Sequence, residues 1–256
     1  MSIKITACVV VYNKSCADSL TCKSLEAISG ACAPDVLIID NSTSDFNNVE
    51  FCNNKGWRYC SMEGNAGLSK AYNRAIDISP DTDIFVWLDD DTGLPADYFD
   101  RLAKTADENP DAQLYLPVVM SGSDIISPSI VRGARVIRVS RLSELCGEIT
   151  AINSGLAARR SVYDGYRYDE DLFLDLVDHK FMKDCAARSI GWCIIDGTPL
   201  EQTFFGDTNK SKKAALAREK IFAKDFRVFG KKTGKSFFVT EMQLLKRRIK
   251  IEKNCR

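Results

Sequence analysis

Short apolar runs alternate with amphipathic segments along the first half of the chain. The apolar runs occupy residues 5–12, 36–39, 57–60 and 84–88. Runs of this length and composition predict strands buried in a parallel sheet. Helical spacing of apolar residues lies between and after them, at about 17–28, 68–78 and 96–107, with Ser15 placed to cap the first helix. Strands that alternate with helices in this way predict a mostly parallel α/β sheet.

The second half of the chain has a less regular pattern. The predicted elements there are strands at 114–120, 149–158 and 192–195 and a helix at 175–187. Residues 121–148 hold Gly, Ser, Pro and short apolar runs, and predict a loop-rich segment. Past Gly206 the composition becomes basic and helical. The pattern therefore predicts a catalytic domain over 1–206 and a basic helical appendage over 207–256.

Charge divides the chain in the same place. The 256 residues hold 35 Lys/Arg and 35 Asp/Glu, so the formal net charge is zero. Residues 207–256 hold 16 basic and 5 acidic side chains, a net of +11, which leaves −11 on residues 1–206. A composition with 45% hydrophobic residues is typical of a globular protein. The basic tail points to a membrane or nucleic-acid contact at one end.

Several classes of protein are disfavoured by simple absences in the sequence. The sequence contains no run of 18 apolar residues, so it predicts no transmembrane helix. The first residues lack the pattern of a signal peptide, and we therefore expect a cytosolic chain. The ten cysteines form no Cys-x-x-Cys pair, and His179 is the single histidine. A zinc site is therefore not expected, and the cysteines are predicted to be free thiols.

The sharpest candidate for chemistry is the acidic triplet Asp89-Asp90-Asp91, at the end of a predicted buried strand. Adjacent carboxylates repel one another and resist burial unless a positive charge compensates them. A hard divalent cation such as Mg²⁺ is a natural partner, with Asp89 and Asp91 presented together. The alternative is a solvated acidic loop that precedes the next helix.

Other polar residues follow the neighbouring strands. Tyr12-Asn13 and Asp40-Asn41 lie at predicted carboxyl ends, where open α/β sheets bind their ligands. Asp40 could accept hydrogen bonds from a nucleobase, or it could be a cap or turn former. The Gly-x-Gly-x-x-Gly and Gly-Lys-Ser/Thr phosphate loops are missing after the first strand, which disfavours a nicotinamide dehydrogenase or a P-loop ATPase.

Together these segments resemble the family 2 glycosyltransferases, which have the GT-A fold. The matching segments are VVVYN (9–13), IIDNSTSD (38–45), NAGLSKAYNRAI (65–76) and FVWLDDDTGLP (85–95). The stretch from INSG to GW (152–192) is similar to the rhamnosyltransferase-like branch. The resemblance rests on the order and spacing of these motifs over roughly residues 3–206.

The resemblance implies a role for each matching residue. Residues implied to bind the nucleotide-sugar are Tyr12, Asn13, Asp40, Asn41, Asn65, Gly67, Lys70 and Asp90. Asp89 and Asp91 would hold Mn²⁺ or Mg²⁺. Asp178 would be the catalytic base, with Asp175 as second choice. Ser154, Gly155 and His179 would lie on the acceptor side, where a structural hydrogen bond is the alternative role for His179.

The chemistry of glycosyl transfer can be argued from the residues as well. An attacking hydroxyl needs a base, and a departing diphosphate needs a cation. Asp175 and Asp178 are three residues apart, so they would share one helix face, and their mutual repulsion would favour base character. The alternative is that both simply complement the helix dipole. One base and no nucleophile imply inversion.

The sequence departs from the family pattern at two points. Gln202 stands near the place where the family often has a histidine that completes the metal site. The expected basic residue within the helix of Asp178 is displaced, and Lys183 or Arg188 could take its place.

The basic tail contains an amphipathic helix. Phe238, Met242, Leu245 and Ile249 form one stripe, and Lys246, Arg247, Arg248, Lys250 and Lys253 lie beside or beyond it. Such a helix can lie in a membrane interface with anionic lipid. It can equally pack its stripe on the acidic body.

The leading hypothesis is an inverting, metal-dependent glycosyltransferase. It would move rhamnose, galactose, galactofuranose or a similar sugar from a UDP- or dTDP-sugar to a hydroxyl of a glycan or lipid-linked glycan, in bacterial surface polysaccharide assembly such as O-antigen or capsule. It would act in the cytoplasm or at the inner face of the membrane.

Two other functions stay open. A nucleotidyltransferase shares the sheet and the acidic site, but it calls for a Gly-rich basic loop that residues 12–15 do not supply. A nucleic-acid-binding protein would use the +11 tail. The acidic body and the lack of a recognised binding motif argue against this function.

Overall fold

The computed structural model describes residues 3–30, 32–133, 135–202 and 212–254. The strands are β1 (Ile5–Val11), β2 (Asp35–Asp40), β3 (Arg58–Ser61), β4 (Ile84–Asp89), β5 (Leu114–Leu116), β6 (Val119–Ser121), β7 (Asp124–Ser127), β8 (Ser129–Arg132), β9 (Arg135–Arg138), β10 (Ile149–Thr150), β11 (Leu156–Arg159), β12 (Trp192–Ile194) and β13 (Leu200–Glu201). The α-helices are α1 (Leu20–Ala27), α2 (Asn48–Lys55), α3 (Leu68–Asp77), α4 (Tyr98–Glu108), α5 (Val177–Ala187), α6 (Lys212–Lys232) and α7 (Phe237–Asn254).

A seven-stranded sheet forms the centre of the molecule, in the order β12-β5-β11-β4-β1-β2-β3. The pairs β1–β2, β1–β4, β2–β3 and β5–β12 are parallel, and β11 runs antiparallel between β4 and β5. The sheet is therefore mostly parallel, as the alternating pattern predicted. The reversed strand matters for the site, because it brings its amino end to the edge where its neighbours end.

Helices cover the central sheet on both faces, which explains the unbroken apolar runs of β1, β2 and β4. On one face the alternate side chains of β1, such as Val9, pack with residues of α1, α2 and α4. On the other face Cys8 and Val10 lie in a core with α3 and α5. That second core contains the ring cluster Tyr72, Phe85, Trp87, Tyr163, Tyr168 and Phe181, beneath the acidic end of β4.

Two small three-stranded sheets lie beside the central one, in the orders β10-β8-β9 and β13-β6-β7. The prediction of a loop-rich segment over 121–148 is wrong, because most of both small sheets comes from it. The single strand predicted at 114–120 is two strands, β5 and β6, in different sheets. The strand predicted at 149–158 is also two, since irregular backbone from 151 to 155 separates β10 from β11.

Helix boundaries differ from the predicted ones where polar residues cap them. Ser15 caps a single 3₁₀ turn, and the following α1 begins after a second cap, at Ser19. Helix α2 escaped prediction because it buries few apolar side chains: Val49 is half-exposed and Cys52 is the buried thiol. Helix α5 begins at Val177, so Asp175 precedes it and does not share a helix face with Asp178, contrary to the prediction.

The basic tail folds as the two helices α6 and α7, which pack on each other. Asp225 of α6 is fully buried and accepts backbone N–H bonds from Phe173 (3.0 Å), Leu174 (2.8 Å) and Asp175 (2.8 Å). Helix α6 is thereby docked on the segment that leads into α5.

The apolar stripe predicted for the last helix faces solvent. Phe238 is 70% exposed and Leu245 is 59% exposed, with Met242 and Ile249 at 42% each. The side of α7 that is buried carries Thr240 and Leu244 instead. The stripe therefore does not pack on the acidic body, which was one of its two predicted roles. In the described part of the chain, no helix has the length and apolarity needed to cross a membrane.

The nine cysteines among the described residues are free thiols, as predicted.

Candidate active site

Polar side chains converge at the carboxyl edge of the central sheet. The register places Val11 of β1 opposite Asp40 of β2, and Val10 of β1 opposite Asp89 of β4. Because β11 is antiparallel, the residues just before it reach the same edge, and Ser154 Oγ donates to Asp89 Oδ2 at 3.2 Å. The structure therefore brings together polar residues from four separate parts of the sequence.

The three carboxylates of the acidic triplet have three different environments. Burial, and then the charge of Asp91, raise the pKa of Asp89 to about 7. Asp90 turns aside and pairs with Lys14, whose Nζ lies 2.8 Å from Oδ1. Burial also raises the pKa of Asp91, and Gln202 Nε2 lies 3.4 Å from Asp91 Oδ1. Its ion pair with Lys14 thus sets Asp90 apart from Asp89 and Asp91.

The donor set around Asp89 and Asp91 fits a divalent cation. Both carboxyl groups have raised pKa values, so a nearby positive charge would stabilise their ionised forms. Gln202 Oε1 is buried with no hydrogen-bond partner in the part of the chain that the structure describes, while Nε2 faces Asp91, and this oxygen is a candidate for a further neutral ligand. Among the described residues, no three Asp, Glu, His or Cys side chains form a cluster that could hold an ion. Mg²⁺ is commonly held by one or two carboxylates, with substrate phosphates completing its shell.

Asp40 organises the loop that follows β2. It is buried and accepts hydrogen bonds from Ser42 N (2.8 Å), Asn48 Nδ2 (2.9 Å) and the Tyr59 hydroxyl (3.2 Å). The turn-forming role that the sequence left open for Asp40 is present in the structure. Recognition of a nucleobase by its remaining acceptor capacity stays a prediction.

The loop after β1 is tied to the same loop. Asn13 has a left-handed backbone (φ 48°), donates its N–H to Ser42 Oγ at 2.9 Å, and accepts from Thr43 N at 2.8 Å. The neighbouring Tyr12 is 49% exposed at this edge, where its ring is free to meet a ligand. The two loops form one polar wall at this edge of the sheet, and the binding of a nucleotide by Tyr12 and Asn13 stays a prediction.

The turn before α3 approaches this wall closely. The Asn41 side chain accepts from Ala66 N and donates to the Gly67 carbonyl, each at 3.3 Å, and Asn65 Oδ1 accepts from Gly67 N at the same distance. Gly67 has φ 92°, and a Cβ atom there would lie 2.7 Å from the Phe173 ring. Only glycine fits. Lys70, one turn into α3, is exposed.

Asp178 lies in the first turn of α5, partly buried, and its Oδ1 accepts the N–H of His179 at 2.7 Å. Its charge contributes to the raised pKa of Asp89 and of the buried Tyr72 hydroxyl, so it belongs to the same electrostatic environment as the acidic triplet. Asp175 makes a bidentate ion pair with Arg218 of α6, with 2.7 Å between Oδ1 and Nη2. Of these two acids, Asp178 is the one without an ion pair to the described residues.

The remaining predicted residues on this side have structural partners. His179 Nδ1 lies 2.5 Å from Thr150 Oγ1. Lys183 pairs with Glu148 at 3.5 Å, and Arg188 Nη1 donates to the Val162 carbonyl at 2.8 Å. Gly155 has φ 81° and its N–H bonds the Trp87 carbonyl at 2.7 Å, which sets the start of β11. Ser154 alone of the predicted acceptor-side residues contacts a carboxylate of the triplet.

Two site residues were missed by the sequence reasoning. Asn153 is 4% exposed, and its amide lies close enough to the buried Tyr72 hydroxyl to affect its pKa, although neither group makes a hydrogen bond of good geometry with the described residues. Burial, and then the charge of Asp89, raise the pKa of Tyr72 well above 10, while the Asn153 amide lowers it. The two polar groups therefore lie together in the buried layer beneath the acidic end of β4. The only sequence signal was the position of Asn153 next to Ser154-Gly155.

Comparison with known proteins identifies the family of this arrangement. The model of the family described as "Glycosyl transferase family 2" matches residues 6–166. Among curated proteins, no sequence matches the chain.

Several solved structures have a similar fold, and three of them contain a sugar or a nucleotide-sugar. TarS 1–349 of S. aureus in complex with UDP-GlcNAc has a TM-score of 0.58 at 17% identity, over 88% of this chain and 66% of that chain. GalNAc-T7 with UDP, GalNAc and Mn²⁺ has a TM-score of 0.60 at 12% identity, and the match covers 84% of this chain and 48% of that chain. The mannosyltransferase PcManGT from Pyrobaculum calidifontis, with GDP-Man and Mn²⁺, has a TM-score of 0.57 at 14% identity, and the match covers 88% of this chain and 64% of that chain. The chain spans 40% of a longer TarS chain. These likenesses establish the GT-A fold.

Proposed function

Because the chain belongs to glycosyl transferase family 2, a family of enzymes that transfer sugars from nucleotide-sugar donors, we propose that it is an inverting, metal-dependent transferase that acts on a glycan hydroxyl. The observation that supports this most directly is the placement of Asp178 in the first turn of α5, within the electrostatic environment of Asp89. A base and an anion-binding centre are the two groups that the displacement requires.

The proposed division of labour follows from the contacts. Asp178 accepts the proton of the attacking hydroxyl, while Asp175 is held in its ion pair with Arg218. Asp89 and Asp91, together with the Gln202 oxygen, would hold Mn²⁺ or Mg²⁺, which when bound would stabilise the charge of the diphosphate leaving group. With one base and no nucleophile, a single displacement inverts the anomeric centre.

For the donor we propose a UDP- or dTDP-sugar, with Tyr12, Asn13, Asp40, Asn41, Asn65, Gly67, Lys70 and Asp90 around the nucleotide. The tie between the loops that follow β1 and β2 supports a preformed wall for the nucleoside. TarS 1–349 with UDP-GlcNAc and PcManGT with GDP-Man bind donors of the same general class. The pattern of residues 152–192 favours a rhamnosyl, galactosyl or galactofuranosyl donor.

For the setting we propose assembly of a bacterial surface polysaccharide, such as O-antigen or capsule, on a lipid-linked acceptor at the cytoplasmic face of the membrane. The exposed stripe of α7, flanked by basic side chains, supports contact with anionic lipid. We propose no nucleic-acid partner.

The test is a panel of nucleotide-sugars with Mn²⁺ or Mg²⁺, applied to the protein and to single-residue variants. Asp178→Asn is expected to lower kcat for transfer about 10²–10⁴-fold and to leave Mn²⁺-dependent UDP binding intact. Asp91→Ala is expected to weaken UDP binding in the presence of Mn²⁺. Asp164→Asn, at an exposed acid away from the cleft, is the matched control and is expected to behave as wild type. Full transfer activity in Asp178→Asn would rule out the assignment of the base.

A further inference from the structure

A cavity of about 420 Å³ lies beside the first turn of α5. Its walls come from α5, from the β10-β8-β9 sheet, and from the junction of α6 with α7. Leu176 and His179, which flank Asp178 in the chain, both line it. Its volume lies in the range of small-molecule binding sites. The proposed functions of the neighbouring residues do not use this space.

The cavity has an apolar interior. Its apolar lining includes Val136, Ile149, Leu176, Phe226, Phe229 and Val239. Val136 is 52% exposed although it lies in a strand, so a large part of its apolar surface is left uncovered. Uncovered apolar surface of this kind gains free energy when a hydrocarbon group covers it. The interior therefore favours an alkyl or isoprenoid chain.

Positive charge surrounds the cavity. Three cationic side chains line it, Arg135, Lys183 and Lys235, against one acidic side chain, Glu148. Lys183 and Glu148 pair with each other at 3.5 Å, which leaves Arg135 and Lys235 as the net charge. Lys235 is held in place, with its Nζ 2.9 Å from Gln243 Oε1 and 4.3 Å from the centre of the Phe226 ring. Burial lowers the pKa of Lys235, and a bound anion would offset that cost.

We propose that this cavity binds a single-chain amphiphile with an anionic head, the phosphate-bearing lipid end of the acceptor, and so holds the acceptor beside Asp178. The assignment of this amphiphile as the acceptor rests on the proposed transferase function. The binding itself does not, because the apolar lining and the two cations, which have no acidic partner among the described residues, are independent of the residues proposed to bind the donor. Val239 lines the cavity and also belongs to α7, so the cavity adjoins the helix whose apolar stripe faces solvent.

The test is isothermal titration of the full chain, without donor, with decyl phosphate below its critical micelle concentration. Decyl maltoside carries the same chain without the anion, and inorganic phosphate carries the anion without the chain. We expect decyl phosphate to bind about tenfold or more tightly than either. Absence of decyl phosphate binding would overturn the proposal, and equal binding of decyl maltoside would overturn the anionic head.

Strand β9 offers matched variants, because it carries residues inside and outside the lining of the cavity. Val136 lines the cavity and the adjacent Ile137 does not, although both are exposed. Val136→Asp is expected to weaken decyl phosphate binding about tenfold, and Ile137→Asp to leave it within about twofold. Arg135→Glu is expected to weaken it too, whereas Arg132→Glu, at the cross-strand neighbour outside the cavity, serves as the control. Equal losses in both members of either pair would refute the location.

Two further measurements separate the possible failures. UDP binding with Mn²⁺, measured on the same preparations, is expected to be unchanged in Val136→Asp. If no donor is turned over but decyl phosphate binds with the expected variant pattern, the transferase proposal fails and the amphiphile site stands. Binding to anionic vesicles distinguishes a bilayer lipid from a single amphiphile, since Val136→Asp should retain vesicle binding through α7. Loss of vesicle binding in Val136→Asp would show that the cavity serves the bilayer instead.

Discussion

Asp89, Asp90 and Asp91 show how three identical side chains acquire different properties. Asp90 finds a cation, Lys14, at 2.8 Å. Asp89 is partly buried beside Ser154, and burial together with the charge of Asp91 raises its pKa to about 7. A carboxyl group whose pKa is raised in the folded state makes folding less favourable as the pH increases through that range. Without a bound cation, this group is therefore a source of instability at neutral pH.

This instability can be measured in metal-free protein. Because the pKa of folded Asp89 lies near 7 and its unfolded value lies near 3.8, the free energy of unfolding should fall as the pH rises between these values. Asp89→Asn mimics the protonated form, so it should be more stable than wild type at pH 8, by roughly 1–2 kcal/mol, with a much smaller difference at pH 5. Urea unfolding in EDTA measures both values. An Asp89→Asn protein less stable than wild type at pH 8 would contradict the electrostatic account, and Asp164→Asn controls for loss of an exposed acid.

The segment from 173 to 176 connects three helices, α3, α5 and α6. The Phe173 carbonyl accepts the N–H of Leu68 at 2.6 Å, which joins the segment to the start of α3 beside Gly67. Asp225 of α6 binds three successive N–H groups of the segment. Leu176 has a left-handed backbone (φ 64°), which costs about 1 kcal/mol or more for a residue other than glycine. The contacts on either side compensate this strain and set the direction in which α5 and Asp178 begin.

Helix α6 is therefore expected to affect catalysis from outside the cleft. Asp225→Asn would place an amide NH₂ or a single weaker acceptor opposite the three N–H donors, and hydrogen bonds to charged groups contribute about 1.5–3 kcal/mol each. We expect a loss of stability of about 2–4 kcal/mol and a fall in kcat for transfer at temperatures where the variant is folded, with little change in Mn²⁺-dependent UDP binding.

The matched control is Glu241→Gln, which breaks the exposed pair with Arg227. Exposed ion pairs contribute little, so this variant should stay within about 1 kcal/mol of wild type. An Asp225→Asn protein with wild-type stability and kcat would show that the segment keeps its shape without α6.

At the scale of the molecule, the zero net charge is the sum of an acidic body and a basic tail. The tail is not loosely attached, since Arg218 pairs with Asp175 and Lys232 pairs with both Asp169 and Asp171. These contacts use part of the opposite charges of tail and body. The far side of α7 keeps its apolar stripe exposed, with basic side chains beside it. The tail thus has one surface against the body and another exposed to solvent.

We expect the second surface to bind anionic membranes. The double variant Phe238→Asp and Leu245→Asp removes two exposed apolar side chains of the stripe, each contributing about 1.5–3 kcal/mol when fully buried. Co-sedimentation with vesicles containing anionic lipid should therefore weaken at least tenfold. Val49→Asp, at a half-exposed valine of α2, is the matched control. Equal binding of the double variant and wild type, or strong binding of wild type to uncharged vesicles, would contradict this expectation.

Elements buried on both faces were predicted from the sequence more closely than exposed ones. Strands β1, β2 and β4 were predicted closely because they are buried on both faces, which leaves unbroken apolar runs. The strands between 119 and 138 were not, since β9 is exposed along its whole length and gives little periodicity. The division of the catalytic domain from the tail at 206 falls outside the described residues and stays a prediction.

The sequence alone determined the family motifs, the strands buried on both faces, and therefore which acidic residues would lie at the carboxyl edge of the sheet. These follow from composition and spacing over short stretches of chain. Tertiary structure decided the state of each acid: Asp175 is neutralised by Arg218, 43 positions away, and Asp89 meets Ser154 only because β11 runs antiparallel. The pKa and the partners of a side chain depend on what surrounds it in space, and no local pattern in the sequence encodes those surroundings.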